Sequence, residues 1–225
     1  MAEHSAYHHQ PLLKVCGMKY PENILEVAAL GPDYLGFIFY DKSPRYFDGI
    51  IPEIPGKIKK TGVFVNATIH EITRKATQYQ LQAVQLHGGE HAVFCRELRQ
   101  VLPAVEIIKV FSVKDQFDFS RLHPFEDDVD YFLFDTKGEQ PGGNGYTFDW
   151  GVFRNYPSEK PFFLSGGIGP EETGLITGFL NSPGYNKVAA LCHAIDVNSR
   201  FETEPGRKNT KQLQEFKSKI LCQHQ

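Results

Sequence analysis

Short runs of β-branched and aromatic residues recur along the chain with polar, Gly- and Pro-containing stretches between them. Eight such runs stand out: Leu13 to Cys16, Tyr34 to Phe39, Gly62 to Val65, Ala83 to Leu86, Glu106 to Val110, Tyr131 to Phe134, Phe162 to Ser165 and Ala194 to Val197. Apolar spacing of helical period predicts helices over Pro21 to Leu30, Ile69 to Tyr79, Val93 to Leu102, Pro170 to Phe179 and Thr210 to Leu221. The helices expected after strands two, five and six carry little signal. Pro21 and Pro170 occupy first helical positions, and Thr68 with Glu71 forms a capping-box pattern before Ile69. Strand onsets fall about 20 to 32 residues apart and alternate with helices, the rhythm of parallel βα units.

Eight units can close into a (β/α)8 TIM barrel or open into a doubly wound sheet. No G-x-G-x-x-G follows the first strand, and the residues able to carry chemistry gather at the C-terminal ends of several strands, where barrels place their sites. The fold expected is therefore α/β, a single barrel domain over 1–225 with tails at 1–11 and 222–225. A length of 225 residues suits one such domain.

Composition narrows the function classes. A net charge of −3 gives no generic grip on nucleic acid, so an anionic ligand needs a local positive site. No apolar run approaches the roughly 20 residues of a membrane span, and the His-containing first ten residues do not form a secretory signal. The four cysteines, Cys16, Cys95, Cys192 and Cys222, make no C-x-x-C pair, which fits reduced thiols in a cytoplasm. His87-Gly88-Gly89-Glu90-His91 matches an inverted zinc-protease spacing, but two glycines directly after a strand argue against the helix such ligands require. Neither a metal nor a cofactor is expected.

Candidate chemistry lies at the strand ends. Gly17 frees the backbone to turn after Cys16, which places the thiol at the barrel mouth. By itself such a cysteine reads as a small buried hydrophobe; Lys14, two residues earlier on the same face, offers an ammonium that favours the thiolate and an ion-pair partner for Asp196 on strand eight. Asp135 ends strand six as an acid or as a cap on the turn at Thr136. Ser165-Gly166-Gly167-Ile168-Gly169 and Asp196-Val197-Asn198-Ser199 end strands seven and eight, where barrels commonly bind phosphate on backbone N–H groups. Arg45 offers a planar fork for a carboxylate. The glycine-rich stretch Gly138 to Gly145 reads as a lid or a linker.

These motifs together resemble the phosphoribosylanthranilate isomerase family from about Leu12 to Phe216. The resemblance rests on Lys14-Val15-Cys16-Gly17-Met18, Gly36-Phe37-Ile38-Phe39, Ser43-Pro44-Arg45-Tyr46, Gly62-Val63-Phe64-Val65-Asn66, Val84-Gln85-Leu86-His87-Gly88 and Phe134-Asp135-Thr136. It extends through Gly142-Gly143-Asn144-Gly145, Thr147-Phe148-Asp149-Trp150, Ser165-Gly166-Gly167, and Asp196-Val197-Asn198-Ser199 with Glu202 and Pro205-Gly206.

It implies a cofactor-free Amadori rearrangement of a phosphorylated small molecule in tryptophan biosynthesis, with Cys16 as general base and Asp135 as general acid. It assigns Arg45 to the anthranilate carboxylate and Gly166, Gly167, Asn198 and Ser199 to the phosphate. It also implies a cytoplasmic enzyme, with no membrane or nucleic-acid partner, that meets other enzymes of its pathway transiently. Many relatives read Asp-Val-Ser-Ser-Gly where this chain has Asp196-Val197-Asn198-Ser199-Arg200, so a hydroxyl contact at 198 is lost while a backbone contact survives. The competing readings are a histidine-pathway-type isomerase, which resembles a pair of aspartates where this chain has Cys16, and a catalytically silent phosphate-binding barrel. Lys14, Asn66, His87 and Arg200 are left without a defined task.

Overall fold

In the computed structural model, residues 10–113, 116–136 and 150–221 are described. The N-terminal tail, the glycine-rich stretch Gly138 to Gly145 and the residues after Leu221 fall outside these limits. Eight parallel strands close on themselves in sequence order: β1 (Leu12–Val15), β2 (Tyr34–Ile38), β3 (Lys59–Phe64), β4 (Ala83–Leu86), β5 (Glu106–Val113), β6 (Tyr131–Thr136), β7 (Phe162–Ser165) and β8 (Cys192–Val197). The barrel closes by register, Lys14 beside Asp196 and Val15 beside Val197. Cys16 prolongs β1 by one residue, its N–H donating to Val197 O at 2.9 Å.

Five helices cover the barrel where the sequence has helical periodicity, α1 (Pro21–Ala29), α2 (Ile69–Tyr79), α3 (Ala92–Val101), α4 (Thr173–Asn181) and α6 (Thr210–Leu221), and a single turn not expected from the sequence, α5 (Asn186–Ala189), precedes β8. Pro21 opens α1, and Thr68 caps α2 by accepting from the Glu71 N–H at 3.2 Å. The helix expected from Pro170 begins instead as a 3₁₀ turn, Pro170–Glu172, and becomes α-helical only at Thr173.

Among the described residues none of the three weakly signalled helices forms as an α-helix. Residues 39–58 run irregularly between β2 and β3, where Pro44, Pro52, Pro55, Gly49 and Gly56 remove donors and stiffness together. Between β5 and β6 there is a 3₁₀ segment, Phe119–Phe125, with Pro124 inside it, and a second, Trp150–Asn155, precedes β7. A small β-hairpin, β9 (Glu202–Glu204) with β10 (Arg207–Lys208), follows β8.

Strand side chains alternate between two compartments. Tyr34, Ala83, Ile108, Val110, Leu133, Phe163 and Ala194, with Leu12 and Tyr131 against them, form a cluster drawn from strands alone; this is the filled barrel interior. The larger cluster joins the outward strand faces to the helices, with Phe64, Phe132, Phe134, Phe153 and Phe162 wholly buried.

The N-terminal end of the interior is sealed by polar groups from the strand starts. Lys59 Nζ meets Glu106 Oε1 at 2.5 Å, and Tyr34 Oη lies 3.2 Å from Glu106 Oε2 and 2.9 Å from His193 Nε2. Tyr131 stacks on His193 with ring centroids 4.3 Å apart. Among the described residues no helix is long and apolar enough to cross a membrane.

Candidate active site

The strand parity that fills the interior also decides what faces the opposite, C-terminal mouth. Lys14 and Cys16 continue the inward series of Leu12, Asp135 that of Tyr131 and Leu133, and Asp196 that of Ala194. Cys16 and Asp135 therefore belong to one inner face, on β1 and β6, with β7 and β8 between them on one side of the ring.

Cys16 is a free, buried thiol. Gly36 on β2 makes the space for it: a Cβ at Gly36 would lie 2.7 Å from the sulfur. Gly17 adopts φ +76°, a backbone state that favours glycine, and lets the chain turn immediately after the thiol. Lys14 Nζ is wholly buried and pairs with Asp196 Oδ1 at 2.7 Å, the ion pair expected from the sequence. Asp196 Oδ2 also accepts from Ser165 Oγ at 3.2 Å, tying the ends of β1, β7 and β8 together.

Lys14 acts on the thiol in the expected direction, toward the thiolate, but a larger effect opposes it. Burial pushes Cys16 above the ordinary thiol value, and the pull of Lys14 and Lys208 in the other direction only partly offsets it. Burial also disfavours the charge on Lys14, but Asp196 and the nearby sulfur outweigh it, and the ammonium is held more firmly than usual.

Opposite, His87 extends from the end of β4 and places Nε2 3.6 Å from Asp135 Oδ2, while its Nδ1 lies 3.1 Å from Gln85 Nε2. His91, the other histidine of the zinc-like spacing, instead caps α3, its Nδ1 accepting from Phe94 N–H at 3.2 Å. Glu90 between them holds turns together. Its carboxylate accepts from Asn66 N–H at 2.8 Å and Gly88 N–H at 2.9 Å, and pairs with buried Lys109 at 2.8 Å. Asn66, at φ +52°, accepts on its Oδ1 from the Gly89 N–H at 2.7 Å. Asn66 thus acquires a role in turn architecture. Among the described residues no group of three or more His, Cys, Asp or Glu could hold a metal.

Arg45 reaches the same rim because Tyr46 bridges to Ile38 and Phe47 N–H bonds to Ile38 O, folding the loop back over β2. Its Nε and Nη2 form a fork on Glu202, with distances of 2.7 to 3.0 Å. That fork holds the arginine charged and, despite burial, keeps Glu202 below the ordinary glutamate value.

After β7, Gly166 and Gly167 both have positive φ, +98° and +64°, and a Cβ at Gly167 would meet nothing within 4 Å. Ser199 opens a short 3₁₀ turn after β8. The Asn198 side chain accepts from Lys208 Nζ at 2.7 Å. Arg200, given no task by the sequence, pairs with Glu171 at 3.1 Å on the surface.

A family model described as N-(5'-phosphoribosyl)anthranilate (PRA) isomerase matches residues 13–219 of this chain. The chain belongs to the phosphoribosylanthranilate isomerase family. It is 42% identical over 216 residues to the N-(5'-phosphoribosyl)anthranilate isomerase of Parabacteroides distasonis, covering 93% of each chain. Its fold is similar to the crystal structure of phosphoribosyl anthranilate isomerase from Thermotoga maritima, with a TM-score of 0.74, 31% identity and coverage of 93% of this chain and 98% of that one. It is also similar to a phosphoribosyl anthranilate isomerase in complex with reduced 1-(o-carboxyphenylamino)-1-deoxyribulose 5-phosphate, with a TM-score of 0.70, 27% identity, and coverage of 93% and 98%.

Two features of this family member escaped the sequence reading. One is the approach of His87 to Asp135, between residues 48 positions apart by subtraction of their numbers. The other is the Glu202 and Lys208 pairing beside Arg45. A signal for the second was present: Glu202 and Glu204 precede Pro205-Gly206, and Arg207 and Lys208 follow it, a turn flanked by opposite charges.

Proposed function

We propose that this chain isomerises N-(5'-phosphoribosyl)anthranilate to 1-(2-carboxyphenylamino)-1-deoxyribulose 5-phosphate, with Asp135 as general acid and Cys16 as general base. The observation that carries these roles is the shared inner face of the two side chains at the C-terminal mouth of a closed barrel. Protonated Asp135 donates to the furanose ring oxygen as the bond from that oxygen to C1 breaks, giving a protonated imine. The Cys16 thiolate then takes the C2 proton, acidified by the cationic imine, and the resulting enolamine tautomerises to the aminoketone.

The timing suits a buried thiol. Burial opposes the thiolate, and the positive imine favours it when the base is needed. Gly166, Gly167 and the backbone at Asn198 and Ser199 are assigned to the phosphate, because two consecutive positive-φ glycines turn the chain at the end of β7, beside the end of β8, where barrels bind phosphate on backbone N–H groups. The Asn198 side chain is committed to Lys208, which leaves its main chain for this task. Arg45 is assigned to the anthranilate carboxylate; Glu202 fixes its guanidinium by Nε and Nη2. The compartment proposed is the cytoplasm, supported by Cys16, Cys95 and Cys192 being unpaired thiols.

The test is steady-state turnover of phosphoribosylanthranilate by the unmodified chain, Cys16→Ala and Asp135→Asn. Turnover by the first and its loss in both variants is expected. Near-normal rates in a variant would remove that residue from the mechanism, and an inactive parent would remove the substrate assignment.

A further inference from the structure

Lys208, on β10, is a buried cation that the proposed chemistry does not use. Its side chain is shielded completely from solvent, and its Nζ donates to Asn198 Oδ1 and Glu202 Oε1, both at 2.7 Å. Asn23 of α1 clamps the backbone at the same residue, accepting from Lys208 N–H at 2.7 Å and donating to its C=O at 3.0 Å. Gly206, at φ +90°, turns the hairpin and adds its N–H to Glu202 Oε1 at 3.1 Å. A lysine so enclosed, with two of its three donors satisfied inside the protein, is not placed to grip a ligand.

Its two acceptors lead directly to the thiol. Glu202 carries the fork of Arg45, and Asn198 and Arg45 converge over Gly17, the residue after Cys16. A Cβ at Gly17 would lie 2.6 Å from Asn198 Oδ1 and 2.8 Å from Arg45 Cδ. The charges around Cys16 are Lys14 on its own strand, Asp196 on β8, Arg45 from the loop after β2, Glu202 on β9 and Lys208 on β10. Asp196 is matched by Lys14, and Glu202 by the Arg45 fork; Lys208 shares a carboxylate already engaged.

We propose that Lys208 is a positioning residue of the isomerase site, holding Arg45 and Asn198 across Gly17 and giving the Cys16 environment its surplus positive charge. This rests on the reading of Cys16 as the base. Lys208 acts on the thiol through the field of its ammonium, in the direction that favours thiolate, against the larger opposing effect of burial. Burial pulls the Lys208 ammonium below the ordinary lysine value, and Glu202 opposes that pull.

The experiment compares the unmodified chain with Lys208→Met and Lys208→Gln. Two quantities are followed with pH: kcat/KM for phosphoribosylanthranilate, and the thiolate absorbance of Cys16 without substrate, taken as the difference from a Cys16→Ser partner of each protein. Lys208→Gln retains a donor toward Asn198 and Glu202, so it carries the test should Lys208→Met not fold. The Cys16 midpoint and the midpoint of the rising limb of kcat/KM are both expected to rise by about one pH unit, which is about tenfold less thiolate on that limb. KM is expected to increase more in Lys208→Met than in Lys208→Gln as Arg45 loosens.

A purely structural lysine would alter KM or stability and leave the titration in place. An unchanged Cys16 midpoint in folded Lys208→Gln therefore overturns the proposal. Full activity of Cys16→Ala would instead overturn the reading beneath it, while the absorbance titration would still decide what Lys208 does to the thiol.

Discussion

At the N-terminal end of the barrel, Tyr34, Lys59, Glu106 and His193 bond mainly to one another, with Tyr131 laid over the imidazole. At the C-terminal end, Lys14, Arg45, Lys208, Asp196 and Glu202 make comparable ion pairs, but they surround a thiol, and His87 and Asp135 face the same opening. The lower network is closed: its donors and acceptors answer each other, and burial together with Glu106 drives the Tyr34 hydroxyl far from ionisation. The upper network keeps cations near a group whose neutral form burial prefers. The two ends of one barrel thus carry polar networks of different design, the lower built around its own members and the upper around a thiol. What separates them is whether the pairs saturate one another or leave a reactive group within their field.

The sharpest break of this comparison is removal of the proposed acid and base. Cys16→Ala and Asp135→Asn are each expected to lower kcat by about 10²-fold to 10⁴-fold while leaving the thermal unfolding midpoint close to that of the parent. The next largest effect is expected for Gly17→Ala. The added Cβ meets Arg45 and Asn198 in a backbone state at φ +76°, and a displaced rim costs up to about 10²-fold in kcat/KM. A crystal structure of that variant with Arg45 and Cys16 unmoved, and with normal rates, would contradict it.

The lower end should answer with the opposite pattern. Glu106→Gln removes the partner shared by Lys59 and Tyr34 and is expected to cost about 1 to 3 kcal/mol in chemical denaturation, with kcat retained. The smallest effect concerns acid. Because its pairs hold Glu202 below the ordinary value of 4.5, its contribution to stability is present above that value and is lost as pH falls through the lowered one. Unfolding free energy measured across this acid range should fall less steeply in Glu202→Gln than in the parent.

The parts legible from sequence were those fixed by local pattern. β4 and β7 have the expected limits, since four-residue apolar runs bounded by polar or turn residues leave little choice of register. α2 ends as expected because Thr68 caps one end and Gln80, at φ +51°, stops the other. The absent periodicity over 39–58 was itself information: prolines and glycines there replace a helix with a folded-back loop that delivers Arg45. The ion pair of Lys14 with Asp196 could be anticipated because closing an eight-strand ring puts β1 beside β8.

Three features could not be read locally. Arg45 and Glu202 are 157 positions apart and meet only once the barrel is closed and the hairpin has turned at Gly206. His87 reaches Asp135 across the mouth from β4 to β6. For Cys16, the neighbouring ammonium was visible in the sequence, but the magnitude of desolvation depends on Gly36 and on everything packed around it. Partners separated by many strands, and the dielectric they create, belong to tertiary structure.

The carboxylate of Glu90 is shared by the turn after β3 and the turn after β4, and it is anchored from β5 through Lys109. Neither turn can be lengthened, shortened or grafted from another barrel without pulling on the other. This sector of the rim would have to be inherited or redesigned as a single piece.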